Sequence, residues 1–131
     1  MKRALVVIAV LLTMAACGRS SSSELRTVEV RIEHSRFLPD DIRVRAGETV
    51  RFVVVNGDPI DHEFLVGDEG VQKIHERGTE AHHGARPGEI SIPAGDTKTT
   101  TYTFSEPGSL IYGCHLPGHY DNGMRGQIAI G

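Results

Sequence analysis

A chain of 131 residues has room for one domain once a leader is set aside. Its formal net charge of -3 is mildly acidic, which disfavours nucleic acid and is compatible with a basic protein partner. The two cysteines, Cys17 and Cys114, are split between the leader and the last quarter of the chain. The mature domain therefore keeps one free thiol and no intramolecular disulfide, and must draw its stability from its apolar core and whatever it binds.

In chain order, Lys2 and Arg3 precede an apolar run from Ala4 to Met14, and then come Ala15, Ala16 and Cys17. That run is too short to span a bilayer comfortably and has the flanks of an export signal. Small residues before a Cys, followed by GRSSSS, resemble a bacterial lipobox, although Met14 stands where Leu is usual. Residues 1–16 are thus expected to be a lipoprotein-type signal peptide. Cys17 is the expected lipidated residue, and 17–26 the anchor and flexible tether, in which Gly18 to Ser23 reach about 20 Å at most. The alternative is an ordinary cleaved signal and a freely soluble exported protein.

From residue 27 onward, alternation takes over. Val28, Val30 and Ile32 face one way and Glu29, Arg31 and Glu33 the other, the period of a half-buried strand. Ile42 and Val44 alternate with Arg43 and Arg45, and Val50, Phe52 and Val54 follow the turn at Ala46-Gly47-Glu48. Asn56-Gly57-Asp58-Pro59 is turn chemistry, and His62 follows at the start of a strand through Glu63 to Val66. Further strands are predicted over Glu89 to Ile92, Thr97 to Phe104, Leu110 to Cys114 and Arg125 to Ile130. Many short strands punctuated by Gly and Pro predict an all-β sandwich for residues 27–131. Its loops would cluster at the ends, so that distant residues such as His62 and Cys114 can meet.

One segment breaks this pattern. Asp68 caps a predicted short helix over Glu69 to Arg77, with Val71 and Ile74 as its apolar contacts and Gly78 as its stop. The following TEAHHGARPG reads as loop. His75, His82 and His83, with Glu76 and Glu80, are candidates for a weak second metal site, against the alternative of a solvated loop. His34 is assigned a structural or surface place.

The chemistry lies near the C-terminus. CHLPGHYDNGM places Cys114, His119 and Met124 at C-x4-H-x4-M. A thiolate, an imidazole and a thioether in one short loop are what a copper ion cycling between two oxidation states selects. If His and Met are each used at about 2%, a given Cys has both at fixed offsets about once in 2,500 trials, so coincidence is a poor explanation. Pro117-Gly118 and Gly123 allow the tight folding that convergence on one ion requires. Zinc also accepts Cys and His but has little use for a thioether. A fourth ligand must come from elsewhere, and His62 is the obvious donor.

FLPDDIRVRAGETVRFVVVNGD, DHEF and YTFSEPGSLIYGCHLPGHYDNGMRGQIAI together resemble the cupredoxins of the plastocyanin and azurin type, from Phe37 to the end. The resemblance implies a Greek-key β-sandwich with one type 1 copper held by His62, Cys114, His119 and Met124. It also implies an inner place for His62 and a solvent-facing edge for His119 within an apolar patch. Family members commonly carry Asn after the first His, where this chain has Glu63. Glu63 and His115, which flank two ligands, are candidates for a hydrogen bond that replaces the usual tie between ligand loops; otherwise both point to solvent.

The function expected is therefore electron transfer by one copper outside the cytoplasm, in the periplasm or at the cell surface. The protein would be a membrane-anchored, monomeric, non-enzymatic lipoprotein that meets a redox partner protein. The alternative is storage or delivery of copper, with the His-containing insert as a relay.

Overall fold

The computed structural model describes residues 25–78 and 85–131. Cys17, His82 and His83, and the expected signal and most of the tether, lie outside the described residues. Nine strands and one helix follow in the order β1 (Arg26–Ile32), β2 (Phe37–Leu38), β3 (Asp41–Val44), β4 (Glu48–Asn56), β5 (His62–Gly67), α1 (Glu69–Glu76), β6 (Glu89–Ile92), β7 (Thr97–Phe104), β8 (Gly108–Gly113) and β9 (Arg125–Ile130). They form two mixed sheets, ordered β2-β1-β4-β7 and β3-β9-β8-β5-β6. β1 runs parallel to β4 and β3 parallel to β9, and the other pairs are antiparallel. This is the predicted all-β sandwich with its predicted short helix.

The alternating residues supply the core between the sheets. Val30, Ile32, Val50, Phe52 and Val54 come from one sheet, and Phe64, Ile92, Tyr112 and Ile128 from the other, all fully buried. Phe64 lies at the centre, its ring 5.2 Å from that of Phe52, 5.9 Å from Phe37 and 5.4 Å from Tyr112. Such offset and edge-on contacts lock ring orientation as well as burying area. The Tyr112 hydroxyl donates to the Pro39 carbonyl and so satisfies its one polar atom.

β5 is buried along its whole length, unlike the half-buried strands around it. It lies between β8 and β6, and α1 closes over one end. Asp68 caps the helix as expected, accepting from the Val71 N–H at 2.8 Å.

The predicted apolar contacts of α1 need correction. Ile74 is 75% exposed and Val71, though it rests against Gly67, is 41% exposed. The residue that α1 buries is Gln72, whose side-chain amide donates to the carbonyls of Leu65, Gly67 and Ile111. A polar side chain wins this place because it bonds the carbonyls of two strands and the His115 ring at once, which Val or Ile cannot do.

Candidate metal centre

His62 opens β5, and Cys114 immediately follows β8, two paired strands of one sheet. Their side chains meet at one end of the sandwich although 52 positions separate them. The loop from Cys114 to Met124 is held by its own backbone. Cys114 N–H donates to Met124 O, His119 N–H to Leu116 O and Met124 N–H to His119 O, at 3.2, 2.9 and 2.9 Å. Gly118 and Gly123 have φ of +81° and +91°, a conformation that L side chains rarely adopt, which explains their place in the loop. Gly113, before the cysteine, is needed for another reason: a Cβ there would lie 2.7 Å from the Tyr120 ring.

The donor atoms converge. Cys114 Sγ lies 3.3 Å from His119 Nδ1 and 4.0 Å from His62 Nδ1, and the two imidazole nitrogens are 3.3 Å apart. The centre of a triangle with these sides is about 2.1 Å from each corner, within the range of about 2.0–2.3 Å for metal bonds to imidazole and thiolate. The three residues fit one ion without rearrangement. Met124 is fully buried beside them in the core cluster, with its backbone bonded to both Cys114 and His119. His62 and Cys114 are buried, and His119 is partly exposed.

Hydrogen bonds prepare these ligands. His62 Nε2 lies 3.0 Å from Asp58 Oδ2, so it carries the proton and leaves the Nδ1 lone pair facing the other donors. Asp58 is itself gripped by the backbone N–H groups of His34 and Ser35, each at 2.7 Å. Burial opposes its charge, but these two bonds and His62 outweigh it and hold the carboxyl below the usual range. His34 and Ser35 take positive φ of 54° and 53° to aim those groups. His34 thus acts through its backbone. Asp58 was read from the sequence only as a turn residue; its four-residue separation from His62 was the available signal.

Burial pushes the Cys114 thiol up to about 11, against the N–H groups of Glu63 and Leu116, which favour the thiolate. The Glu63 N–H reaches the sulfur at 3.3 Å. A metal ion supplies the larger stabilisation and displaces the thiol proton. Burial, with the neighbouring His62, lowers the pKa of His119.

The expected Glu63–His115 hydrogen bond does not form. His115 Nε2 instead bonds Gln72 Oε1 at 2.6 Å, while Glu63 Oε2 lies 3.5 Å from His75 Nε2. Nor do both residues point into solvent, since Glu63 is 5% exposed and the His115 ring stacks on Tyr120 at 4.5 Å. The helix intervenes: Gln72 and His75 both lie on α1, which packs against β5 and β8. Burial and the nearby His75 lower the His115 pKa to about 4.

A β-sandwich with two histidines, one cysteine and one methionine gathered at one end is the architecture of a type 1 copper protein, and the residues here form a type 1 copper site. The chain belongs to the cupredoxin-like family, whose domain model matches residues 4–129. It is 38% identical over 109 residues to the copper-resistant cuproprotein CopI of Rubrivivax gelatinosus, covering 80% of this chain and 66% of that protein. It is 30% identical over 93 residues to the protein of the same name from Vibrio cholerae, covering 69% of this chain and 55% of that one. The chain thus spans less than two thirds of either relative. In fold it is similar to auracyanin B, with a TM-score of 0.67 at 24% identity over 81% of this chain and 88% of that one. Auracyanin A of Chloroflexus aurantiacus, described as a "blue" copper protein, gives a TM-score of 0.64 at 23% identity over 82% and 100%.

Proposed function

We propose that this protein is an exported, non-enzymatic carrier of single electrons that uses one copper ion and meets a redox partner protein at the His119 end. The observation that carries this reading is the preset donor triangle, closed inward by burial of Cys114 and His62 and open outward only at His119. Bound copper would supply the one-electron couple. The chain's own residues hold the donors at one spacing through Asp58, the Glu63 N–H and the Cys114–Met124 backbone bonds, so that little movement need accompany a change of oxidation state. His119, between Leu116-Pro117-Gly118 and Tyr120, offers the electron its shortest path out. The mature copper-loaded domain should show an intense thiolate-to-copper band and repeated reversible reduction with the copper retained. A Cys114→Ser variant that keeps the band would overturn the assignment.

A second reading, storage or delivery of copper, is favoured by the name that the CopI relatives carry, copper-resistant cuproprotein. Retention separates the two: a carrier keeps its copper through redox cycling against a competing chelator, and a delivery protein surrenders it. Anchorage through Cys17 belongs to either reading.

A further inference from the structure

The ladder between β5 and β8 stops short of the copper ligands. Its pairs are Leu65 with Gly113, Val66 with Tyr112 and Gly67 with Ile111. Continued in the same register it would set Glu63 opposite His115, the residues that follow His62 and Cys114. The ladder does not reach them, so the strand ends that carry the two buried ligands are held together by something other than sheet pairing.

Helix α1 spans that gap. Gln72 and His75 stand at i and i+3, on one face of the helix. The Gln72 amide nitrogen donates to Leu65 and Gly67 on β5 and to Ile111 on β8, which leaves its Oε1 to accept from His115 Nε2 at 2.6 Å. His75 touches both sides of the gap. Its Nε2 is 3.5 Å from Glu63 Oε2, and its ring meets the His115 ring near edge-on, with centroids 5.4 Å apart. Glu63 is buried, and from that place its backbone N–H reaches the Cys114 sulfur at 3.3 Å.

We propose that α1 is a working part of the copper centre: Gln72 and His75 are positioning residues that hold His115 and Glu63, and through them the distance between the Cys114 sulfur and the Glu63 N–H. A hydrogen bond to the sulfur draws charge from the thiolate and so favours Cu(I) over Cu(II), and hydrogen bonding around the cysteine is one of the properties that tune such a centre. Releasing the helix would lengthen that bond, lower the reduction potential and loosen the copper. The inference rests on the type 1 centre and not on whether its copper carries electrons or is delivered.

The test compares the mature wild type with variants, copper-loaded and metal-free. In His75→Ala and Gln72→Leu the potential should fall and the visible and electron paramagnetic resonance spectra should change. Copper affinity should drop by about tenfold or more, the usual effect of removing an outer partner of a metal ligand. In the metal-free variants the Glu63 amide should exchange with deuterium faster than in the wild type, as read by nuclear magnetic resonance. His75→Gln keeps a polar group of similar reach and should return these values towards wild type, which loss of an imidazole charge alone would not allow. Val44→Ala is the control. Val44 is buried on β3, paired with Ile130 at the far end of the sandwich from Cys114, so its truncation should cost stability without moving the potential. Should Gln72→Leu fail to fold, His75→Ala decides, because it leaves the Gln72 bonds in place. An unchanged or raised potential in His75→Ala, or an equal fall in Val44→Ala, would overturn the brace while the wild type keeps its thiolate-to-copper band. A wild type without that band would take down the copper centre and the brace together.

Discussion

Asp58 shows how one side chain can serve both the fold and the metal. Its carboxylate holds the strained His34-Ser35 turn and the protonated edge of His62 at once. Hydrogen bonds to a charged acceptor are each worth about 1.5–3 kcal/mol, so losing three of them in Asp58→Ala should destabilise the domain by at least about 3 kcal/mol, read as a lower urea midpoint at unchanged m-value. Asp58→Asn is gentler and more telling. By withdrawing negative charge from the ligand imidazole it should favour Cu(I) and raise the reduction potential, while the visible band persists. An unchanged voltammogram would mean that the carboxylate positions His62 without tuning it. Met124→Leu should also keep the copper and raise the potential, because loss of a weak axial donor destabilises Cu(II) more than Cu(I). No shift in voltammetry would place the thioether outside the coordination sphere.

At the scale of elements, α1 is joined to the sandwich through a polar side chain. Gln72 bridges β5, β8 and the His115 ring, and the apolar Ile74 of the same helix is left in solvent. Gln72→Leu keeps the volume but strands the His115 Nε2–H, a loss of about 1–3 kcal/mol for a buried donor left unsatisfied. Denaturant unfolding should show a loss in that range. Ile74→Ala, by contrast, should change stability by less than about 0.5 kcal/mol, as exposed positions do. A larger effect from Ile74 than from Gln72 would invert this account of how the helix is held.

For the whole molecule, Cys114 is the one free cysteine among the described residues, so no disulfide restrains the described domain and metal binding is the remaining large contribution to its stability. Copper at about 1,000 times its dissociation constant contributes about 4 kcal/mol by mass action. For a domain of this size that corresponds to a rise in Tm of roughly 15 °C or more, measured by calorimetry with and without copper. A Cys114→Ser variant should lose most of the rise. Localisation is tested separately: Cys17→Ala should move the protein from the membrane to the soluble fraction or block its processing, since stable anchoring takes two lipid signals. Intact wild-type protein found wholly soluble and without lipid would support the ordinary signal instead.

Features carried by short-range order were legible from the residues alone. Strand positions followed from alternation, because a period of two in Val28 to Ile32 or Thr97 to Phe104 is a property of neighbours. The ligand loop was legible for the same reason: Cys114, His119 and Met124 lie within eleven residues, and their soft-donor chemistry needs no knowledge of the rest of the fold. The partners of those ligands depend on how distant segments pack. Asp58 meets His62 because the turn after β4 places its carboxylate between that ring and the His34-Ser35 amides, and His115 meets Gln72 rather than Glu63 because α1 packs across β5 and β8. Apolar spacing pointed to Val71 and Ile74 as the buried face, but it cannot register that the His115 Nε2–H and the carbonyls of two strands converge at that spot. Hydrogen-bond satisfaction is counted over the assembled surface, and there the cost of leaving buried polar groups unpaired exceeded the gain from burying one more aliphatic side chain.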